Sequence, residues 1–121
     1  MKAFGITAAA AMALTAQAFA GPGDLGGTYR IDGMNINGTP YGGTATITVT
    51  SANTCRIVWR TGNETSSGIC MRNENAFSAG YVLQDKVGLV IYEIQPDGSL
   101  VGLWTIADQP GVGKERLIPV R

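Results

Sequence analysis

A Gly62-Asn63 dipeptide sits midway between Cys55 and Cys70, the chain's only two cysteines. A two-residue connection with glycine first is a hairpin turn, because glycine supplies the positive φ that matches the twist of the flanking strands. Centred there, the hairpin sets Cys55 directly opposite Cys70, on the face that also carries Ile57 and Trp59. Such a hydrogen-bonded pair holds its Cα atoms about 5.5 Å apart, inside the range a disulfide spans. A four-residue loop over 61–64 keeps the opposition and changes only the pair type. The spacing is far wider than the Cys-x-x-Cys of a redox pair, so a structural disulfide is expected.

The rest of the chain repeats the same grammar. Residues 28–32, 44–50, 55–60, 66–71, 76–83, 87–94, 100–107 and 116–120 read as strands. Ala45, Ile47 and Val49 alternate strictly with threonines, the mark of a half-buried strand. Residues 73–75, 84–86 and 95–99 are polar turns, with Pro96 and Gly98 supplying the turn chemistry of the last. Longer loops are expected over 35–40 and 108–113. Eight short strands in sequence, joined by short turns, favour next-neighbour pairing. The expected fold is all-β: a small antiparallel up-and-down barrel of the avidin or lipocalin architecture, with a β-sandwich as the alternative.

Residues 1–20 read as a cleavable secretory signal. Lys2 is a minimal charged start, an uncharged Ala-rich run follows, and Ala18 and Ala20 stand where a signal peptidase reads. The expected organisation is a signal over 1–20, a flexible start over 21–27 and one β domain over 28–121. Export leads to the periplasm or beyond the cell, where a disulfide persists. No later apolar stretch is long enough to span a membrane as a helix.

Nine Lys and Arg balance nine Asp and Glu, so the chain lacks the basic excess that phosphate backbones demand. It has no histidine, which removes the commonest general base and metal ligand. With both thiols oxidised there is no cysteine nucleophile. Asp32, Glu93 and Glu115 are carboxylates of the kind glycoside chemistry pairs, but their spacing selects none of them. Gly21, Gly23 and Gly26 match a dinucleotide-loop spacing without the strand and helix that loop requires. Asn37-Gly38-Thr39 and Asn63-Glu64-Thr65 match the glycosylation acceptor and read as turns. The expectation is a non-enzymatic domain with no cofactor and no metal.

Trp59, Trp104, Tyr29, Tyr41, Tyr81 and Tyr92 are expected to fill the barrel and cap its ends, with a ligand pocket as the alternative. Arg56, Arg60 and Arg72 fall near one another in the hairpin register. With Tyr41, Asn35 and Asn37 they make up the candidate binding surface.

Several segments carry a resemblance: 38–43, 54–59, 68–73, 87–92 and 97–106, among them Gly38-Thr39-Pro40-Tyr41-Gly42-Gly43 and Thr54-Cys55-Arg56-Ile57-Val58-Trp59. Their order and spacing resemble a family of small exported proteins of rhizobia-type α-proteobacteria, commonly labelled fibronectin-binding proteins. The resemblance runs from about Gly26 to Pro119. It implies an exported domain that binds a protein partner, an extracellular-matrix or envelope protein. Two alternatives stand beside it. One is an inhibitor of a protease or lysozyme presenting the loop over 35–40 or 108–113. The other is a carrier of a small ligand in the barrel mouth.

Overall fold

Period-two alternation with short turns leaves each strand one apolar face to bury, and closing the sheet on itself buries all of them at once. The computed structural model describes residues 25–120 and shows that solution. Eight antiparallel strands run in chain order: β1 (Gly27–Met34), β2 (Pro40–Val49), β3 (Thr54–Thr61), β4 (Glu64–Asn73), β5 (Ala76–Leu83), β6 (Lys86–Ile94), β7 (Leu100–Ile106) and β8 (Gln109–Pro119). Each pairs with the next, and β1 pairs with β8 from Tyr29–Pro119 to Met34–Lys114, closing the barrel. The expected signal over 1–20, with Ala18 and Ala20, lies outside the described residues. The domain starts slightly earlier than the sequence suggests: Leu25 is buried in the core and Gly27 already pairs with Ile47.

The turns obey the chemistry of their residues. Gly62 has φ 61°, and Thr61 pairs with Glu64 across a two-residue turn. Gln84 and Asp85 both adopt positive φ between Leu83 and Lys86, the twist a tight hairpin needs. In the β1–β2 connection Asn37 Oδ1 accepts from the Thr39 amide at 3.1 Å, and in the β6–β7 connection Asp97 Oδ1 accepts from the Ser99 amide at 2.9 Å. Both are side-chain-stabilised turns.

The Cys55–Cys70 disulfide forms as the register requires, with a Cα separation of 4.9 Å. The expected loop over 108–113 is corrected. β7 turns at once into β8, which starts at Gln109 opposite Ile106, and the pairing shifts between Trp104 and Ile106. Gly111, at φ 120°, and its neighbours bulge from the ladder while Thr105 Oγ1 donates to the Gly111 carbonyl at 2.9 Å. Pro110 and Gly111 are tolerated because a bulge needs no regular ladder bond there.

The barrel has two unlike ends. Leu25, Phe77, Ile94, Leu100 and Leu117 seal the end where the β2–β3, β4–β5 and β6–β7 connections lie, and Tyr29 donates from its hydroxyl to the Leu25 carbonyl at 2.6 Å. Ile57, Leu100 and Leu117 are wholly excluded from solvent. The other end, ringed by the β1–β2, β3–β4, β5–β6 and β7–β8 turns, carries the larger aromatic rings and remains open.

Candidate functional site

The open end holds a cavity of about 460 Å³ lined by Tyr41, Trp59, Tyr81, Tyr92, Trp104 and Glu115, with Asn35, Glu64, Ser66 and Leu83 toward the rim. The aromatic side chains therefore line the mouth instead of filling it, which corrects the filled-barrel expectation. The reason lies in four cross-strand partners. Tyr41 pairs with Gly33, Tyr81 with Gly88, Tyr92 with Gly102 and Trp104 with Gly113. Each ring lies over its glycine: a Cβ added there would come within 2.2 Å of Tyr41, 2.1 Å of Tyr81, 2.5 Å of Tyr92 and 2.2 Å of Trp104. An inward glycine gives a large ring room to lie along the wall, so the lumen stays empty.

One row of residues crosses five neighbouring strands at the base of this cavity. Tyr41 on β2, Gly33 on β1, Glu115 on β8, Gly102 on β7 and Tyr92 on β6 stand side by side. The two rings lean inward over the two glycines and meet the carboxylate between them. Tyr41 donates to Glu115 Oε1 at 2.6 Å. Tyr92 donates to Oε2, and so does the Trp59 indole at 3.0 Å. The same indole N–H lies 3.2 Å from the Tyr92 oxygen, so it is shared between two acceptors.

Glu115 is 7% exposed and is the one buried ionisable carboxyl among the described residues. Burial raises its pKa, while the bonds from Tyr41, Tyr92 and Trp59 act the other way. The phenols respond to the same burial and to the carboxylate beside them. Tyr41 and Tyr92 are driven well above the ordinary value of 10, and Tyr81 is pushed up to about 12. All three are neutral donors at physiological pH. Tyr81 spends its hydroxyl on the Thr105 carbonyl at 2.9 Å. Trp59 and Tyr81 meet edge to face at 5.2 Å, as do Tyr41 and Trp104 at 6.2 Å. Tyr92 stacks on Phe77 beneath it, which ties the cavity floor to the sealed core. The Trp104 indole nitrogen is close enough to the Tyr41 oxygen to lower that phenol's pKa, yet it is buried without an aligned hydrogen bond.

Of the candidate binding surface, the structure brings together only Tyr41 and Asn35, both at the mouth. Asn37 holds the β1–β2 turn through the Thr39 amide and hydroxyl. Arg56 and Arg60 project from the outer wall of β3. Arg72 does not join them. The hairpin pairs Arg56 with Ile69, so the outward residues of β4 are Ile69 and Met71, and Arg72 falls on the inward face at the sealed end. Its Nε donates to the Glu74 carbonyl at 3.0 Å. Asp32 and Glu93 point outward, away from Glu115, so the three carboxylates form no pair.

The outer wall is uneven. Across β4 to β7 it presents Ile69 and Met71, then Leu89 and Ile91, then Leu103, all exposed. Met71, Ser78, Ile91 and Leu103 form one continuous outward row. Across β8 and β1 to β3 the wall carries Lys114, Arg116, Arg30, Asp32, Arg56 and Arg60 instead.

No family model matches the chain, and no curated protein matches it. Solved structures do. A redesigned β-barrel aligns with a TM-score of 0.73 at 12% identity, over 84% of this chain and 96% of its own. A second redesigned β-barrel, mFAP1, bound to DFHBI, aligns with a TM-score of 0.70 at 17% identity, over 81% of this chain and 97% of its own. At such identities the likeness is one of fold.

Proposed function

We propose that this domain binds a small organic ligand in the mouth of its barrel. The observation that carries this reading is the open cavity of about 460 Å³, walled by aromatic rings and floored by a hydrogen-bonded carboxylate. It has the size and the mostly apolar lining, with a few converging polar groups, of small-molecule sites. The rings are held in place before any ligand arrives, so little ordering cost opposes binding. The similar barrel mFAP1 holds DFHBI, an example of this architecture carrying a small molecule. The export expected from the sequence places such a carrier in the periplasm or outside the cell, and the disulfide suits an oxidising compartment.

The test is a thermal-shift screen of small amphiphilic aromatics and amines against the purified protein and a Ser66→Trp variant. Ser66 lines the cavity beside Trp59, so a tryptophan there fills it. Binders that stabilise the wild type and not the variant support the carrier reading. A screen without binders, or binders indifferent to the substitution, argues against it.

A second reading is favoured by the exposed apolar row on β4 to β7. It is the protein-binding role implied by the family resemblance, with fibronectin the first partner to measure. Saturable fibronectin binding that Ile91→Lys abolishes supports this role. Its absence, or insensitivity to that substitution, counts against it. The inhibitor reading loses one of its two loops, since 109–113 belongs to β8.

A further inference from the structure

We infer that the mouth cavity takes a small organic ammonium ion, a choline ester being one example. The inference rests on the carrier reading and names the chemistry of its ligand. Glu115 supplies the first argument. Its three donors, two phenols and an indole, are all neutral. They solvate the carboxylate without cancelling its charge. Among the described residues no Lys or Arg lines the cavity, and the ion pairs Lys86–Asp108 and Arg116–Asp97 lie elsewhere. A buried charge without a counter-charge is costly, and a cation in the cavity removes that cost.

The carboxylate also has room for one more donor. Oε2 accepts from Trp59 and Tyr92, whereas Oε1 accepts from Tyr41 alone. A carboxylate offers about four acceptor positions, so one on Oε1 is unused; a protonated amine donates there, whereas a quaternary ammonium meets it by charge alone.

The walls give the second argument. Tyr41, Tyr81 and Trp104 each rest one face on a glycine of the barrel wall. With Trp59 they surround the space above Glu115. Aromatic faces carry negative potential, and a ring of them is how proteins hold ammonium groups. Glu64 at the rim, held by Gln84 at 2.9 Å, adds a second negative charge on the way in. An anionic ligand meets two carboxylates and no cation.

The decisive comparison uses acetylcholine and 3,3-dimethylbutyl acetate, which share shape and ester and differ only in charge. Tryptophan fluorescence titration of the purified protein reads both. Acetylcholine is expected to bind about ten-fold more tightly, the carboxylate and the aromatic faces acting together. Glu115→Gln should narrow the preference to about three-fold, the share the rings retain, while the neutral ester still binds. If that variant does not fold, the wild-type comparison decides alone. Equal binding of the two esters overturns the cation inference and leaves the carrier reading standing. Binding of neither overturns both.

Discussion

Tyr41 reaches Glu115 at 2.6 Å across Gly33, the residue that stands between them in the barrel wall and has no side chain to obstruct the ring. Gly102 does the same for Tyr92 from the other side. The carboxylate is thus bracketed by two glycines and bonded by the two phenols that lie over them. The polar floor of the cavity and the openness of the space above it have one cause.

Gly33→Ala tests that cause. The new methyl would come within 2.2 Å of the Tyr41 ring, so the ring must swing into the lumen and release Glu115. A loss of about 1–3 kcal/mol in urea denaturation is expected, typical of overpacking. Gly80→Ala is the control: its added Cβ meets nothing closer than 3.9 Å, at ordinary φ. It should be neutral or slightly stabilising. Equal effects from the two substitutions would contradict the ring-on-glycine account.

Glu115 also predicts a pH dependence. Burial raises its folded pKa above the ordinary 4.5. As pH rises past that value the unfolded chain gives up the proton first, and the folded protein then holds more protons. Stability contributed at this site therefore falls with rising pH until the folded carboxyl has ionised. The stability of wild type minus that of Glu115→Gln, from urea midpoints, should decline as pH rises above the ordinary 4.5 and level off once the folded carboxyl has ionised. Asp97, whose pKa the Ser99 hydrogen bonds lower, loses stability in the opposite direction, as pH falls, and cancels in the difference. The raised phenols of Tyr41, Tyr81 and Tyr92 predict a further loss above pH 10.

The disulfide closes a loop with a sequence separation of 15. Reducing it, or replacing both cysteines with serine, should cost about 3 kcal/mol. The measurement is the urea midpoint with and without reductant. No change would mean that the β3–β4 hairpin is as constrained without the bond.

The sequence carried the fold because each hairpin advertises itself locally. Gly62-Asn63 set the β3–β4 register, and that register placed Cys55 opposite Cys70. The same register also puts Arg72 on the inward face, apart from Arg56, so the arginine cluster was legible as wrong from parity alone. Pro110-Gly111 hid the start of β8, since a bulge and a loop use the same residues. The site was less legible. Glu115 alternates with Gly113 and Leu117 on an inward face, a signal that a buried carboxylate is present. Its partners come from β2, β3 and β6, and only barrel closure brings them to it. The glycines that hold the mouth open look, in sequence, like weak points in strands. Their role depends on which ring lies across from each.

The central claim is that the barrel mouth is a ligand site. The chain has two tryptophans, and both line the cavity, so two indole N–H resonances in a ¹⁵N NMR spectrum report on it directly. Titration with acetylcholine, or with the best binder of the screen, should move both, because both rings wall the cavity. Amides of the exposed β4 to β7 row should stay still. Indole signals unmoved at saturation, or shifts confined to the outer wall, would contradict the account.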